Sequence, residues 1–333
     1  VTAFPVVALP TCGPGGDPTE LAGAIEEWTD AAALRALVAA SGGTPPTGEA
    51  AERLDWLEAF SAEVWDFRDG RERYESREVR YTDEARELVH QAAGSLGLSG
   101  RDRPAHSEYR HVLVPGGGVR TCSARSAFAS ALLAGGVTTD EVAGLGSLRP
   151  ITARELEDAR LLGLTDIDTE FDAMDAGLLR AFHLERPVFD QLAPGAGSGG
   201  WRVRSYRSAA RSVHTLAAPS TEPATRRANT GDTLRFWAEE VGAPGPDDRV
   251  LLVTTDLHVP FQHCDAVRIL GLRYGCVIDT VGLDPSSLTD PLVRHAYSPS
   301  AVLQELRSAI RSMRALHTAL LTPTSRLSGT RSP

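Results

Sequence analysis

Four short stretches of this chain combine backbone and side-chain types able to bind and process a small molecule. The first is Gly116-Gly117-Gly118, followed by Arg120, Thr121 and Arg125. Glycines let a backbone approach a ligand closely, and a helix start presents unpaired N–H groups to an anion. Hydroxyl and guanidinium groups add hydrogen bonds to phosphate or carboxylate. The bland alternative is a tight turn with surface arginines. The second stretch is Gly144-Leu145-Gly146-Ser147, leading to Thr152 and Glu155. Thr152 and Glu155 have the spacing of a capping box, in which each side chain satisfies a backbone amide of the other. Glu155 is otherwise placed to hold a ribose hydroxyl or to act as a base.

The third stretch runs from Glu222 to Asp232, with Arg226 and Arg227 ahead of Asn229 and Thr230. Asn229 is a good helix N-cap, and Asp232 suits the first turn electrostatically. With Glu222, these side chains form a third set of candidate ligand contacts. The fourth runs from Thr254 to Asp265 and offers Thr255 as a ligand contact and His258 as a general acid or base, since imidazole titrates near neutrality. Asp256, His258, His263 and Asp265 are metal-ligating types, but their spacing matches no established motif, and no metal is expected. A metal-dependent hydrolase using Asp256, His258 and His263 is the third functional reading. Pairing Cys264 with His258 or His263 as a nucleophile is weaker still.

The elements that must position these loops follow from periodicity. Residues 17–100 read as helical, with amphipathic runs over 20–38, 49–67 and 82–96. From residue 109 the pattern changes to strand, loop, helix. Strands are expected at 109–114, 142–145, 213–217, 249–254 and 276–281, and helices at 121–134, 153–163, 230–242 and 262–271. Residues 165–205 read as an irregular insertion with a flexible Pro-Gly-Ser-rich linker. Such alternation implies an α/β, Rossmann-like three-layer sandwich with a mostly parallel sheet. The expected organisation is an N-terminal helical region over 1–105 and a ligand-binding α/β domain over 106–298. A C-terminal helix over 299–322 and a disordered tail over 323–333 complete it. In an open sheet of this type, ligands gather at the carboxyl ends of the strands.

Composition narrows the chemistry. The chain has 333 residues, a formal net charge of −10 and no lysine, so all 34 basic residues are arginine. The P-loop, protein-kinase and pyridoxal phosphate mechanisms each need a lysine amine and are excluded for this chain acting alone. Net acidity argues against a nucleic-acid partner. No run approaches the roughly 20 apolar residues that span a bilayer, and the first residues lack a basic leader, so a cytoplasmic location is expected. The four cysteines show no C-x-x-C spacing and read as free thiols. Oligomeric state is not legible.

Taken in order, the four loops resemble the SanA/YdcF/ElyC-like family. Its pattern is a glycine-ended strand with an arginine-bearing helix, a small-residue strand end with a Glu-bearing helix, a Glu…Asn-Thr helix start, and a Val-Thr-Ser-x-x-His strand end. The corresponding stretches here are 112–125, 143–155, 222–232 and 253–258, and the resemblance covers about 109–285. This chain departs in carrying Val259-Pro260-Phe261-Gln262 where the family has an arginine after its histidine. The resemblance implies a Rossmann-like sheet with a polar cleft. One family member binds S-adenosylmethionine, and others are linked to cell-envelope lipid carriers. The expected function is an α/β enzyme that binds a nucleotide-like or other anionic small molecule and carries out hydrolysis or group transfer. A non-catalytic sensor of S-adenosylmethionine or a nucleotide is the alternative.

Overall fold

Runs such as Val250-Leu251-Leu252-Val253, with no solvent exposure, can only sit in a sheet covered on both faces. In the computed structural model, which describes residues 4–13, 18–67, 79–208 and 210–322, seven strands form one such sheet. In chain order they are β1 (His111–Pro115), β2 (Glu141–Gly146), β3 (Phe189–Ala193), β4 (Trp201–Arg207), β5 (Ser212–Ala217), β6 (Arg249–Thr255) and β7 (Val277–Leu283). Their spatial order is β3-β4-β5-β2-β1-β6-β7. Five of them, β5-β2-β1-β6-β7, are parallel, and β4 pairs antiparallel with both β3 and β5. The chain steps outward from β1 through β2 to β5, then returns to place β6 against the other side of β1. That reversal opens a crevice at the carboxyl edge, where ligands collect in folds of this kind.

Strand alternation divides the core in two. Val112 and Val114 of β1, with Leu251 and Val253 of β6, pack with helices α5 (Val119–Ala134), α6 (Ala153–Leu161) and α7 (Glu170–Phe182). Leu113, Val250 and Leu252 face the opposite layer. That layer contains α8 (Thr230–Trp237), α9 (Val259–Ala266) and the C-terminal helix α10 (Pro299–Leu321). It also contains the N-terminal helices α1 (Pro18–Thr29), α2 (Ala32–Ala40), α3 (Ala50–Val64) and α4 (Asp83–Ser95). The N-terminal helices therefore share a continuous core with the sheet, from Val7 to Leu316. Ion pairs from Arg307 to Asp66 (3.2 Å) and from Arg314 to Glu58 (2.8 Å) tie α10 to α3 and the residues just after it. Among the described residues, no helix is long and apolar enough to cross a membrane.

Two expectations change. The single helix over 20–38 is two helices, because Ala31 takes extended backbone (φ −55°, ψ 136°) and turns the chain between them. The expected irregular insertion over 165–205 holds α7 and the β3–β4 hairpin, which extends the sheet beyond β5. Arginines on β4 conceal its strand character: Arg202 and Arg204 lie 4.8 and 5.4 Å from the Phe171 ring centroid and hydrogen-bond Asp190. The tail expected over 323–333 lies outside the described residues.

The N-terminal segment is fastened to the sheet layer by a buried imidazole. His263 Nε2 donates to the Pro10 carbonyl (2.9 Å), and Nδ1 lies 3.0 Å from the Thr280 hydroxyl. Burial holds this imidazole neutral and pushes its pKa down to about 4, against the weaker opposing pull of the Pro10 carbonyl. The unfolded chain binds a proton at His263 below its ordinary pKa while the native state does not. The stability it contributes is therefore present above about pH 6.5 and lost as pH falls toward 4. In urea melts, the advantage of wild type over His263→Gln should shrink by about 1.4 kcal/mol per pH unit across that window. A pH-independent difference would contradict the assignment.

A candidate ligand cleft

A cleft of about 460 Å³ opens at the carboxyl ends of β1 and β2. Its floor is Pro115, Gly116, Leu145 and Gly146, and its walls include Ser147, Arg149, Glu170, Asn229, Thr230 and Gln262. Local sequence explains how these side chains meet. A Cβ at Gly146 would lie 3.0 Å from the Phe171 Cα, so glycine there lets the start of α7 sit directly on the end of β2. Thr169 and Asp172 close a capping box at that helix start. The loop after β2 runs beside it, with Phe171 N donating to Ser147 O (2.8 Å) and Glu170 N to Arg149 O (3.1 Å). Glu170, at the first position of α7, is thereby fixed at the cleft.

Arg149 links the two carboxylates of this edge. Its terminal nitrogens donate to both oxygens of Glu155 (2.7 and 2.9 Å), and Nε donates to Glu170 Oε2 (3.1 Å). Ser147 Oγ also donates to Glu170 Oε2 (2.8 Å). Burial alone would raise the Glu155 pKa, but the Arg149 and Thr152 hydrogen bonds outweigh it and hold the carboxyl below its usual range. At Glu170 burial prevails over the attraction of Arg149, and the pKa is raised. Glu170 Oε1 accepts no hydrogen bond among the described residues and lies beside Gly116, where a Cβ would approach it to 2.1 Å.

The start of α8 forms the opposite wall. Asn229 Oδ1 accepts from Asp232 N and Asp232 Oδ2 accepts from Asn229 N, each at 3.0 Å. Asp232 is also bonded by Arg226 and by Thr221 (2.8 Å), which fixes the loop that brings Arg227 to the cleft.

The residues singled out from sequence separate into three groups. Gly116, Asn229 and Thr230 line the cleft. Gly117, Gly118, Thr121 and Glu155 support its rim. Gly117 O accepts from Arg149 (3.4 Å) and from the Cys122 thiol (3.4 Å), Gly118 is the N-cap of α5, and Thr121 packs on Gly117. Glu155 forms its capping box with Thr152. Arg120, Arg125, Glu222, Thr255 and His258 do not line the cleft. Arg120 pairs with Asp158 (2.6 Å), and the exposed Glu222 pairs with Arg226 (3.1 Å).

Arg125, 1% exposed, runs beneath the glycine loop and fastens β1 to β6. It donates to Pro115 O (2.8 Å), Gly116 O (2.6 Å), Thr255 Oγ1 (2.8 Å) and His258 Nδ1 (3.1 Å). Donors at Nδ1 place the imidazole proton on Nε2, which faces Glu305 Oε2 of α10 at 3.8 Å. Asp256, on the same loop, donates nothing to the cleft; burial pushes its pKa up to about 7. His263 has both ring nitrogens engaged elsewhere, so the trio Asp256, His258 and His263 is not assembled as ligands. Among the described residues, no three His, Cys, Asp or Glu side chains are grouped to hold a metal ion.

Arg149, Glu170, Thr233 and Gln262 line the cleft and were not singled out from sequence. The Thr169-x-x-Asp172 capping box, with Phe171, Met174 and Leu178 at helical spacing, was the available signal for α7.

Residues 12–97 match the family model described as the Rv3785 N-terminal domain. The chain is 29% identical over 319 residues to "Uncharacterized protein Rv3785" of Mycobacterium tuberculosis (strain ATCC 25618 / H37Rv), covering 88% of each chain. The same figures hold for "Uncharacterized protein Mb3814" of Mycobacterium bovis (strain ATCC BAA-935 / AF2122/97). The similarity thus takes in both the N-terminal helices and the sheet. No solved structure matches this chain.

The two arginines of the glycine-loop helix should behave differently. Arg125→Ala leaves two buried carbonyls without their donor and should cost about 2–4 kcal/mol in denaturant unfolding. Arg120→Ala removes a half-exposed ion pair and should cost about 0.5 kcal/mol. Equal effects would contradict the strap role of Arg125.

Proposed function

We propose that this chain binds a nucleotide-like or other anionic small molecule in the cleft and transfers or hydrolyses a group on it, with Glu170 handling the proton. The observation that carries the reading is the arrangement of Glu170. One carboxylate oxygen is fixed by Ser147 and Arg149, and the other is open beside Gly116 at the carboxyl edge of the sheet. A raised pKa brings a carboxyl closer to neutral pH, where proton transfer is most effective. Arg227 and the first turn of α8 supply donors for the anionic portion. Glu155, saturated by Arg149 and Thr152, orients Arg149. His258, packed behind the glycine loop, stiffens the β1–β6 crevice.

One observation favours a binding-only reading: of the two proton carriers expected from sequence, Glu155 is fully engaged and His258 does not line the cleft. Glu170 decides between the two. As a general base it must be ionised, so turnover should fall as pH drops through a pKa above the usual carboxylate range. Glu170→Gln should lower turnover of nucleoside phosphates or p-nitrophenyl phosphate by about 10²–10⁴-fold while affinity stays within about threefold. Binding without turnover in wild type would leave the sensor reading in place.

A further inference from the structure

We propose that the cleft recognises sugar hydroxyls through Gln262 and Glu170, so that the ligand is an anionic sugar such as a sugar phosphate. This rests on the cleft being the ligand site. Gln262 of α9 lines the cleft at 4% exposure, and its Oε1 has no hydrogen-bond partner. Native structures rarely leave a buried amide in that condition, because the loss of water is not recovered. The last torsion of a glutamine side chain is soft and roughly two-fold, so the amide presents either its oxygen or its nitrogen to a ligand. A hydroxyl, which both donates and accepts, satisfies it either way.

Glu170 sets the second requirement. Its open Oε1 sits against Gly116, and the Gly116 N–H is already donated to the Leu145 carbonyl (2.7 Å) rather than left for an anion. A phosphate there would face a carboxylate, whereas a hydroxyl would donate to it. The glycine loop is thereby turned from an anion site into a hydroxyl site. The carbonyls of Gly116 and Gly117 are already taken by Arg125 and Arg149, which fixes the loop in this arrangement. The anionic end of the ligand is left to the opposite wall, where Arg227, Asn229 and Thr230 meet the start of α8. A volume of about 460 Å³ accommodates a pentose or hexose phosphate between the two walls.

Calorimetric titration of the full chain at fixed salt with ribose 5-phosphate, n-pentyl phosphate and inorganic phosphate tests this. Ribose 5-phosphate and n-pentyl phosphate carry the same anion, but only the first carries hydroxyls. Ribose 5-phosphate should bind wild type at least about tenfold more tightly than n-pentyl phosphate. Gln262→Met, which keeps the side-chain length, should reduce that ratio to about threefold or less and leave n-pentyl phosphate affinity unchanged. Should Gln262→Met fail to fold in thermal melts, the wild-type ratio decides alone. Equal binding of the two phosphates by wild type would overturn the hydroxyl assignment and leave the anion-binding cleft standing. No binding of any of the three probes would overturn both.

Discussion

The ion triad of Glu155, Arg149 and Glu170 is the interaction on which this edge of the molecule depends. It joins the loop after β2 and the start of α6, into which that loop runs, to the start of α7. Taking three charges partly out of water is costly, and only good geometry recovers the cost. Here the geometry is good: Arg149 is bidentate to Glu155, and Glu155 and Glu170 are further bonded by Thr152 and Ser147. Arg149 neutralises one carboxylate fully and the other only in part. The asymmetry leaves Glu155 a fixed anion and Glu170 a carboxyl with a raised pKa. A structural network thus produces one group suited to chemistry.

Behind the triad, Arg125 plays a comparable part for the crevice between β1 and β6. It is an arginine buried to 1% exposure whose donors end on carbonyls, a hydroxyl and an imidazole. Through His258 and Glu305 that network reaches α10, and α10 packs on α3 and α9. The N-terminal helices, which share their core with one face of the sheet, are by this route connected to the back of the cleft.

Much of the scaffold was legible in the sequence. The strands β1 and β6 are short apolar runs ended by glycine or threonine, and a buried parallel strand has that form. The caps at Thr152 and Asn229 were readable because capping is a local exchange of hydrogen bonds over three residues. The cleft floor at Gly116 and its wall at Asn229 and Thr230 followed from strand and helix ends. What was hidden depended on tertiary pairing. Glu170 belongs to α7, which reads as an insertion until the close approach permitted by Gly146 is known. The β3–β4 hairpin was obscured by arginines whose charges are met by Asp190 and Asp175. Arg125 and His258 carry residue types that suggest ligand contact, yet burial beneath the glycine loop gives them a structural task. Sequence spacing records which residues can share an element, and it does not record which oxygen of a carboxylate is already occupied.

Hydrogen–deuterium exchange of the full chain, with and without saturating ribose 5-phosphate or uridine monophosphate, tests the central claim that the cleft between β1, β2 and α8 is the ligand site. The account predicts protection concentrated in 115–118, 145–149, 168–172 and 227–233, with little change in 41–64 or 300–316. Protection centred on α3 or α10, with those four segments unchanged, would contradict it.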